Sequence, residues 1–386
     1  MVCFGIASLL FAQTQASQVP AIDFNNLPYQ DTVKRMADDW RAKYNLPGVW
    51  CAVIKRGKVV AIVATGVKNV STGAPARIDD HFSIGSVSKV VTGSLISLFV
   101  AKGNIKYETK LGSVFPEFAV KFPNSPLLSA TLRQFMTHMS GVPSRGLPTV
   151  EDKSGPENRL EALKRTLPLS TIRRPGETYA YSNMNPVIAV AMVERASQTT
   201  CEAWVNGPEA RALGFNSGIH QLGEDNGVCP NYLEDGKVIP NDKPRKWSFN
   251  PAGSYMVTLA DLCAFALSSI SNSTGLPTDV YKETVTFPEG DISRHTSAGW
   301  GGNDKKYLMH NGDAGRGEYC EVWINPTSKE GVIFYSNIST RTGYKGLFDG
   351  SISEDLKALR LGNNPLNAVN SRWHLAGNET RCRMDP

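Results

Sequence analysis

Apolar and polar positions repeat with two different periods along this chain, and the switches between them divide it into predicted elements. Residues 27–44 repeat at helical spacing and predict a helix. Residues 50–55 and 58–65 are short runs rich in Val, Ile and Ala that meet at Arg56-Gly57, the signature of a hairpin. From Val87 the positions Val87, Val90, Val91, Ser94, Leu95, Leu98 and Phe99 recur every three or four residues, until Gly103 supplies a stop. Because this segment is apolar around most of its circumference, it is expected in the interior. Residues 160–165 and 187–197 are the clearest helices of a long central region. Strand patterns return near Tyr307, over 319–324 and over 331–338, and a helix is predicted over 353–360.

That order predicts an α+β fold in which strands from both ends of the chain pair in one antiparallel sheet. Terminal helices flank the sheet, and an all-helical lobe is inserted into it. The implied domains are 17–80 with 247–362 for the sheet, 81–246 for the mainly helical part, and 363–386 as a tail. Residues 1–16 read as a signal peptide, with an apolar stretch over 2–12 and small residues at Thr14-Gln15-Ala16, although no basic residue precedes the apolar core. The expectation is a secreted or periplasmic protein. Of the seven cysteines, six would remain after cleavage, so disulfides and buried thiols are both open. Sequons at Asn69, Asn272, Asn337 and Asn378 would carry glycans only in a eukaryotic secretory pathway.

Composition narrows the function classes. With 386 residues and 41% of them hydrophobic, the chain can bury a large core. A net charge of only +5 with scattered basic residues gives no support for nucleic-acid binding. No run reaches the eighteen or so apolar residues of a membrane span, and no H-E-x-x-H or C-x-x-C motif supports a metal. No serine has a glycine two positions before it, which excludes the nucleophile elbow of α/β-hydrolases. No cofactor is implied.

Three short constellations carry candidate chemistry. Ser86-Val87-Ser88-Lys89 places a hydroxyl and an amine on one helix face, where a desolvated neutral amine can take the serine proton. Gly85 permits a tight turn just before Ser86 and leaves its backbone N–H near a helix start. Tyr179-Ala180-Tyr181-Ser182-Asn183 follows a Pro175-Gly176 turn, and Tyr181 and Asn183 would leave an extended or looped backbone on the same side. A phenol there suits proton transfer, and a carboxamide suits amide recognition. His310-Asn311-Gly312-Asp313 ends a predicted strand, and Gly312 would let backbone approach a substrate while the Asp313 N–H stays free to donate. His138 is read as a loop brace, Tyr255 and Trp247 as packing residues, and His81, His220, His295 and His374 as dispersed.

Ser86-x-x-Lys89, Tyr181-x-Asn183 and His310-x-Gly312, in that order, resemble the serine β-lactamase and penicillin-binding protein superfamily in its class C-like branch. Leu132–Pro143, the Pro175–Asn183 block and Asn250–Leu262 resemble further blocks of that branch, so the likeness spans nearly the whole chain. The resemblance implies that Ser86 is acylated, that the Lys89/Tyr181 pair is its base, and that Asn183 orients the substrate. It also implies that the backbone N–H groups of Ser86 and Asp313 form the oxyanion hole. His310 stands where most class C β-lactamases carry a lysine that holds the antibiotic carboxylate, which weakens that charge; Arg316 is a candidate replacement. H-x-G third motifs occur in the superfamily's esterases and D-amino-acid peptidases. The resemblance therefore implies a serine hydrolase of small ester, amide or peptide substrates. A class C-like β-lactamase or D-Ala-D-Ala carboxypeptidase is the alternative, followed by an acyltransferase or a non-catalytic binding member. Oligomeric partners are left open.

Overall fold

The computed structural model describes residues 22–145, 155–221, 227–234, 237–241, 250–288, 294–302, 307–313 and 317–338. The signal segment, the helix over 353–360, the tail, and Trp247, Arg316, His374, Cys3 and Cys382 lie outside the described residues. The frame is a six-stranded antiparallel sheet of order β3-β2-β1-β11-β10-β9. Its strands are β1 (Gly48–Lys55), β2 (Lys58–Asn69), β3 (Ala74–Pro75), β9 (Leu308–Asp313), β10 (Tyr319–Asn325) and β11 (Glu330–Ser336). Both ends of the chain thus contribute neighbouring strands, and Cys51 of β1 faces Phe334 of β11 in register. The β1–β2 hairpin turns where expected. Arg56 and Gly57 both have positive φ, at 50° and 72°, the backbone of a two-residue turn whose twist matches antiparallel strands.

The two-residue period of β1 sorts its side chains onto opposite faces, both buried. Val49, Cys51 and Val53 pack on one face with Val33, Met36, Ala37, Trp40 and Tyr44 of α1 (Gln30–Tyr44). Those helix positions are spaced by three, one, three and four residues, one stripe of a helix, and Asn45 ends it in the left-handed conformation. Trp50, Ala52 and Ile54 face the other way, into a second cluster built largely from helices.

That cluster surrounds α2 (Ser88–Ala101), whose residues 88–99 are all buried. α3 (Leu132–Met136) and α4 (Pro156–Thr166) pack on α5 (Met184–Ser197), which packs on α2 together with α6 (Asn250–Gly253) and α8 (Thr278–Val285), while α7 (Leu259–Ser271) lies against the sheet. Gly93 lets the 295–301 segment cross α2 at close range, since a Cβ there would stand 2.4 Å from the Ala298 carbonyl oxygen. The central region also holds strand pairs that its helical pattern concealed. β4 (Phe82–Ser83), β8 (Tyr255–Val257) and β5 (His220–Gln221) form a small sheet, and β6 (Asn231–Glu234) pairs with β7 (Lys237–Pro240). Segments of two to four residues are too short for a period to register.

Cys51, Cys201, Cys263 and Cys320 are buried free thiols. Asn337 is fully buried, with its amide bonded to the Val67 carbonyl, so its side chain is enclosed by the fold. Among the described residues no helix is long and apolar enough to cross a membrane.

Candidate active site

Ser86 sits in a single 3₁₀ turn, Gly85–Val87, that joins β4 to α2. It is the partly exposed residue between buried Gly85 and Val87. Gly85 has φ +48°, a left-handed conformation that glycine adopts without strain. One helical turn on, Lys89 is 2% exposed, and its Nζ lies 3.0 Å from Ser86 Oγ and 2.6 Å from the Ala252 carbonyl of α6. The Tyr181 ring also faces it, 4.9 Å from Nζ to centroid. Burial lowers the Lys89 amine to about 7, from an ordinary value of 10.5. Tyr181 hydrogen-bonds Ser86, yet burial outweighs that bond and pushes its phenol up to about 12. The amine is thus the group of the pair that exchanges protons near neutrality.

Edge strand β9 closes the other side. A Cβ on Gly312 would stand 1.9 Å from the Ile84 carbonyl oxygen and 2.9 Å from Ser86 N, so only glycine permits this approach. Met309 exchanges both backbone hydrogen bonds with Gly301, off the edge of β9 that faces away from β10. By the two-residue period the Asp313 N–H leaves from the same outer edge. That edge meets the Ser86 turn, because a Cβ on Gly85 would stand 3.0 Å from Asp313 N. The amides of residues 86 and 313 therefore flank one backbone junction.

The sequence constellations converge, with one change of emphasis. Asn183 adopts helical backbone angles and opens α5 without capping it through its side chain, so it does not extend from Tyr181 along a strand. Asn185 carries the wiring there, accepting from the Ser140 hydroxyl and meeting His138 Nδ1 at 2.8 Å. His138 braces the loop as expected: its Nδ1 also accepts the Ser182 N–H at 3.2 Å, and its ring lies 4.5 Å from that of Tyr181. Tyr255 is buried with its hydroxyl among Thr92 and Cys201, consistent with packing.

The histidines read as dispersed are only partly so. His81 and His220 stack at 4.0 Å on the small sheet. His295 joins the site, 5.0 Å from His138, 5.8 Å from His310 and 5.9 Å from Tyr181, with Nδ1 3.1 Å from the Tyr179 hydroxyl. Nothing in the local sequence signals this, since its partners come from three other segments. Burial holds all three imidazoles neutral, with His295 lowered to about 3 and His138 and His310 well below the usual range. Among the described residues no group of three His, Cys, Asp or Glu could hold a metal ion.

Known proteins share this arrangement of segments. The chain is 25% identical over 245 residues to penicillin-binding protein 4 of Amycolatopsis lactamdurans, covering 59% of this chain and 61% of that protein. It is 26% identical over 181 residues to esterase EstB of Burkholderia gladioli, covering 44% of this chain and 46% of the esterase. These matches thus span about half to three-fifths of the relatives' lengths. In fold it is similar to the octameric penicillin-binding protein homologue from Pyrococcus abyssi, with a TM-score of 0.66 at 20% identity over 87% of this chain and 78% of that one. The sequence model of the Beta-lactamase family matches residues 31–347, and with most of its length so matched the chain belongs to the β-lactamase family.

Proposed function

We propose that the protein is a serine hydrolase that cleaves a small ester or amide through an acyl-Ser86 intermediate. The observation that carries this reading is the buried Lys89 amine, 3.0 Å from Ser86 Oγ and lowered to about 7 by desolvation. A base poised near the working pH combines availability with proton affinity.

In this mechanism neutral Lys89 takes the Ser86 proton as Oγ attacks the substrate carbonyl carbon. The carbonyl oxygen becomes an oxyanion, and the Ser86 and Asp313 N–H groups donate to it. Collapse breaks the bond to the leaving oxygen or nitrogen, which takes its proton from the Tyr181 hydroxyl, and Lys89 ammonium restores the tyrosine. Water then attacks the acyl carbon and gives one proton to the same pair, which passes it to Ser86 Oγ as the acyl C–O bond breaks and the carboxylic acid leaves. With the phenol pushed up to about 12, Tyr181 works as a relay and Lys89 as the base.

The β-lactamase or carboxypeptidase reading draws on the likeness to penicillin-binding protein 4. The neutral imidazole of His310 favours the esterase reading, because it leaves no fixed cation for a carboxylate. Intact-mass measurement after a fluorophosphonate and after a penicillin tests both, with wild type beside Ser86→Ala. The expected result is one fluorophosphonate adduct on the wild type and none on the variant. An unlabelled wild type overturns the acyl-serine mechanism, and rapid penicillin acylation with release promotes the second reading.

A further inference from the structure

His310 holds a buried polar atom that the proposed mechanism does not use. The residue is 5% exposed, and its Nδ1 lies 2.7 Å from the carbonyl of the next residue, Asn311. A carbonyl only accepts, so Nδ1 carries the proton and donates. In a neutral imidazole Nε2 is then a bare acceptor at the distal end of the ring. It is buried and has no hydrogen-bond partner among the described residues. The ring neighbours of His310 in the site are His295, 5.8 Å away between centroids, and Tyr181, 6.3 Å away. A buried acceptor without a donor is costly, and a substrate that supplies the donor recovers the loss.

The position of the ring identifies which part of a substrate reaches it. Tyr181 hands its proton to the leaving atom in the mechanism above, and His310 flanks Tyr181. The group that meets Nε2 therefore belongs to the leaving group. Its chemistry is constrained as well. A carboxylate offers only lone pairs and would repel the nitrogen lone pair. An ammonium would bring a positive charge into a place where burial already disfavours one on His310. An uncharged hydroxyl or amide N–H satisfies the acceptor without either penalty.

We propose that His310 selects the leaving group: its Nε2 accepts a hydrogen bond from a neutral O–H or N–H, so hydroxyl- or amide-bearing leaving groups are taken in preference to carboxylate-bearing ones. This rests on the acyl-Ser86 reading and extends it to specificity.

The test compares three butyrate esters that differ only in the alcohol: 2-hydroxyethyl, 2-methoxyethyl and carboxymethyl. Their kcat/KM values are measured by pH-stat with wild type, His310→Gln and His310→Leu, after each preparation is titrated with a fluorophosphonate. For the wild type the hydroxyethyl ester is expected to lead both others by about tenfold or more, since a site built around a buried polar group rejects analogues that leave it unpaired. His310→Gln, which can offer an amide oxygen, keeps that order. His310→Leu brings the hydroxyethyl and methoxyethyl esters level. The ratios do not depend on the active fraction, so a poorly folding leucine variant leaves the wild-type and glutamine results decisive. A labelled wild type that shows no hydroxyl preference, or that favours the carboxymethyl ester, overturns the assignment. So does a leucine variant that keeps the wild-type ratio. A wild type that takes no label overturns the acyl-serine reading, and this specificity with it.

Discussion

Lys89 and Arg159 are both cations at 2% exposure, and the protein treats them in opposite ways. Arg159 of α4 meets two carboxylates. Its Nε lies 3.0 Å from Glu194 of α5, its Nη1 2.9 Å from Glu202, and its Nη2 bonds both. Glu194 also accepts the Cys201 N–H, so its lone pairs are well used. The guanidinium proton is held more firmly than usual. Lys89 instead meets a hydroxyl, a carbonyl and an aromatic face, and its proton is loosened to about 7. The charge of one residue is locked by its carboxylate partners, whereas that of the other is destabilised by burial among uncharged ones. Burial alone therefore says nothing about role; what matters is which partners accompany it.

The contrast breaks most sharply in rate. Lys89→Met is expected to lower acylation by a fluorophosphonate about 10³-fold, within the range for removing a general base, while the chain stays folded. Stopped-flow labelling checks this, and near-wild-type rates would remove Lys89 from the mechanism. Arg159→Met should act on the other axis. It strands Glu194 and Glu202 and is expected to cost about 3–5 kcal/mol in urea unfolding, with the rate per folded molecule unchanged.

A smaller effect comes from the junction between the Ser86 turn and β9. Gly312→Ala places a methyl against the Ile84 carbonyl and must push the strand back. Acylation should fall about 10²-fold, the scale of a misplaced reacting group, with only modest loss of melting temperature. Equal loss of rate and folded population would reduce Gly312 to a packing role.

The gentlest prediction concerns pH. Lys89 titrates near 7 when folded and near 10.5 when exposed, so between those values the unfolded chain binds more protons and stability rises with pH. Replacing Lys89 with Met should therefore stabilise the fold most below pH 7, with the gain fading towards pH 10.5. Acylation by the wild type should rise with pH through an inflection near 7. For Arg159→Met no comparable pH-dependent gain is expected over this range.

Much of this was legible in sequence because it depends on spacing. The apolar run over 50–55, the stripe of α1 and the apolar circumference of α2 each state their environment locally, and the structure agrees. Ser86 and Lys89 share a helix face by arithmetic alone. What spacing cannot state is contact between distant segments. His295 gains its meaning from His138 and Tyr179, and Lys89 from a main-chain carbonyl of α6, an atom every residue carries. Arg159, Glu194 and Glu202 look like ordinary surface charges on amphipathic helices until α4 and α5 pack together. The backbone of Asn183 departs from the extended or looped expectation because the chain takes up helical angles there, one residue before α5 begins.

The contact of Gly312 with the Ser86 turn also has a consequence in time. It unites segments from the first and last thirds of the chain, and such distant pairings are the slowest to form. The proposed site is therefore incomplete until the strand that carries Gly312 has been made and has paired, however well the earlier helices have formed. A half-made molecule is chemically silent, and the first appearance of acylation marks the moment at which both ends have come together.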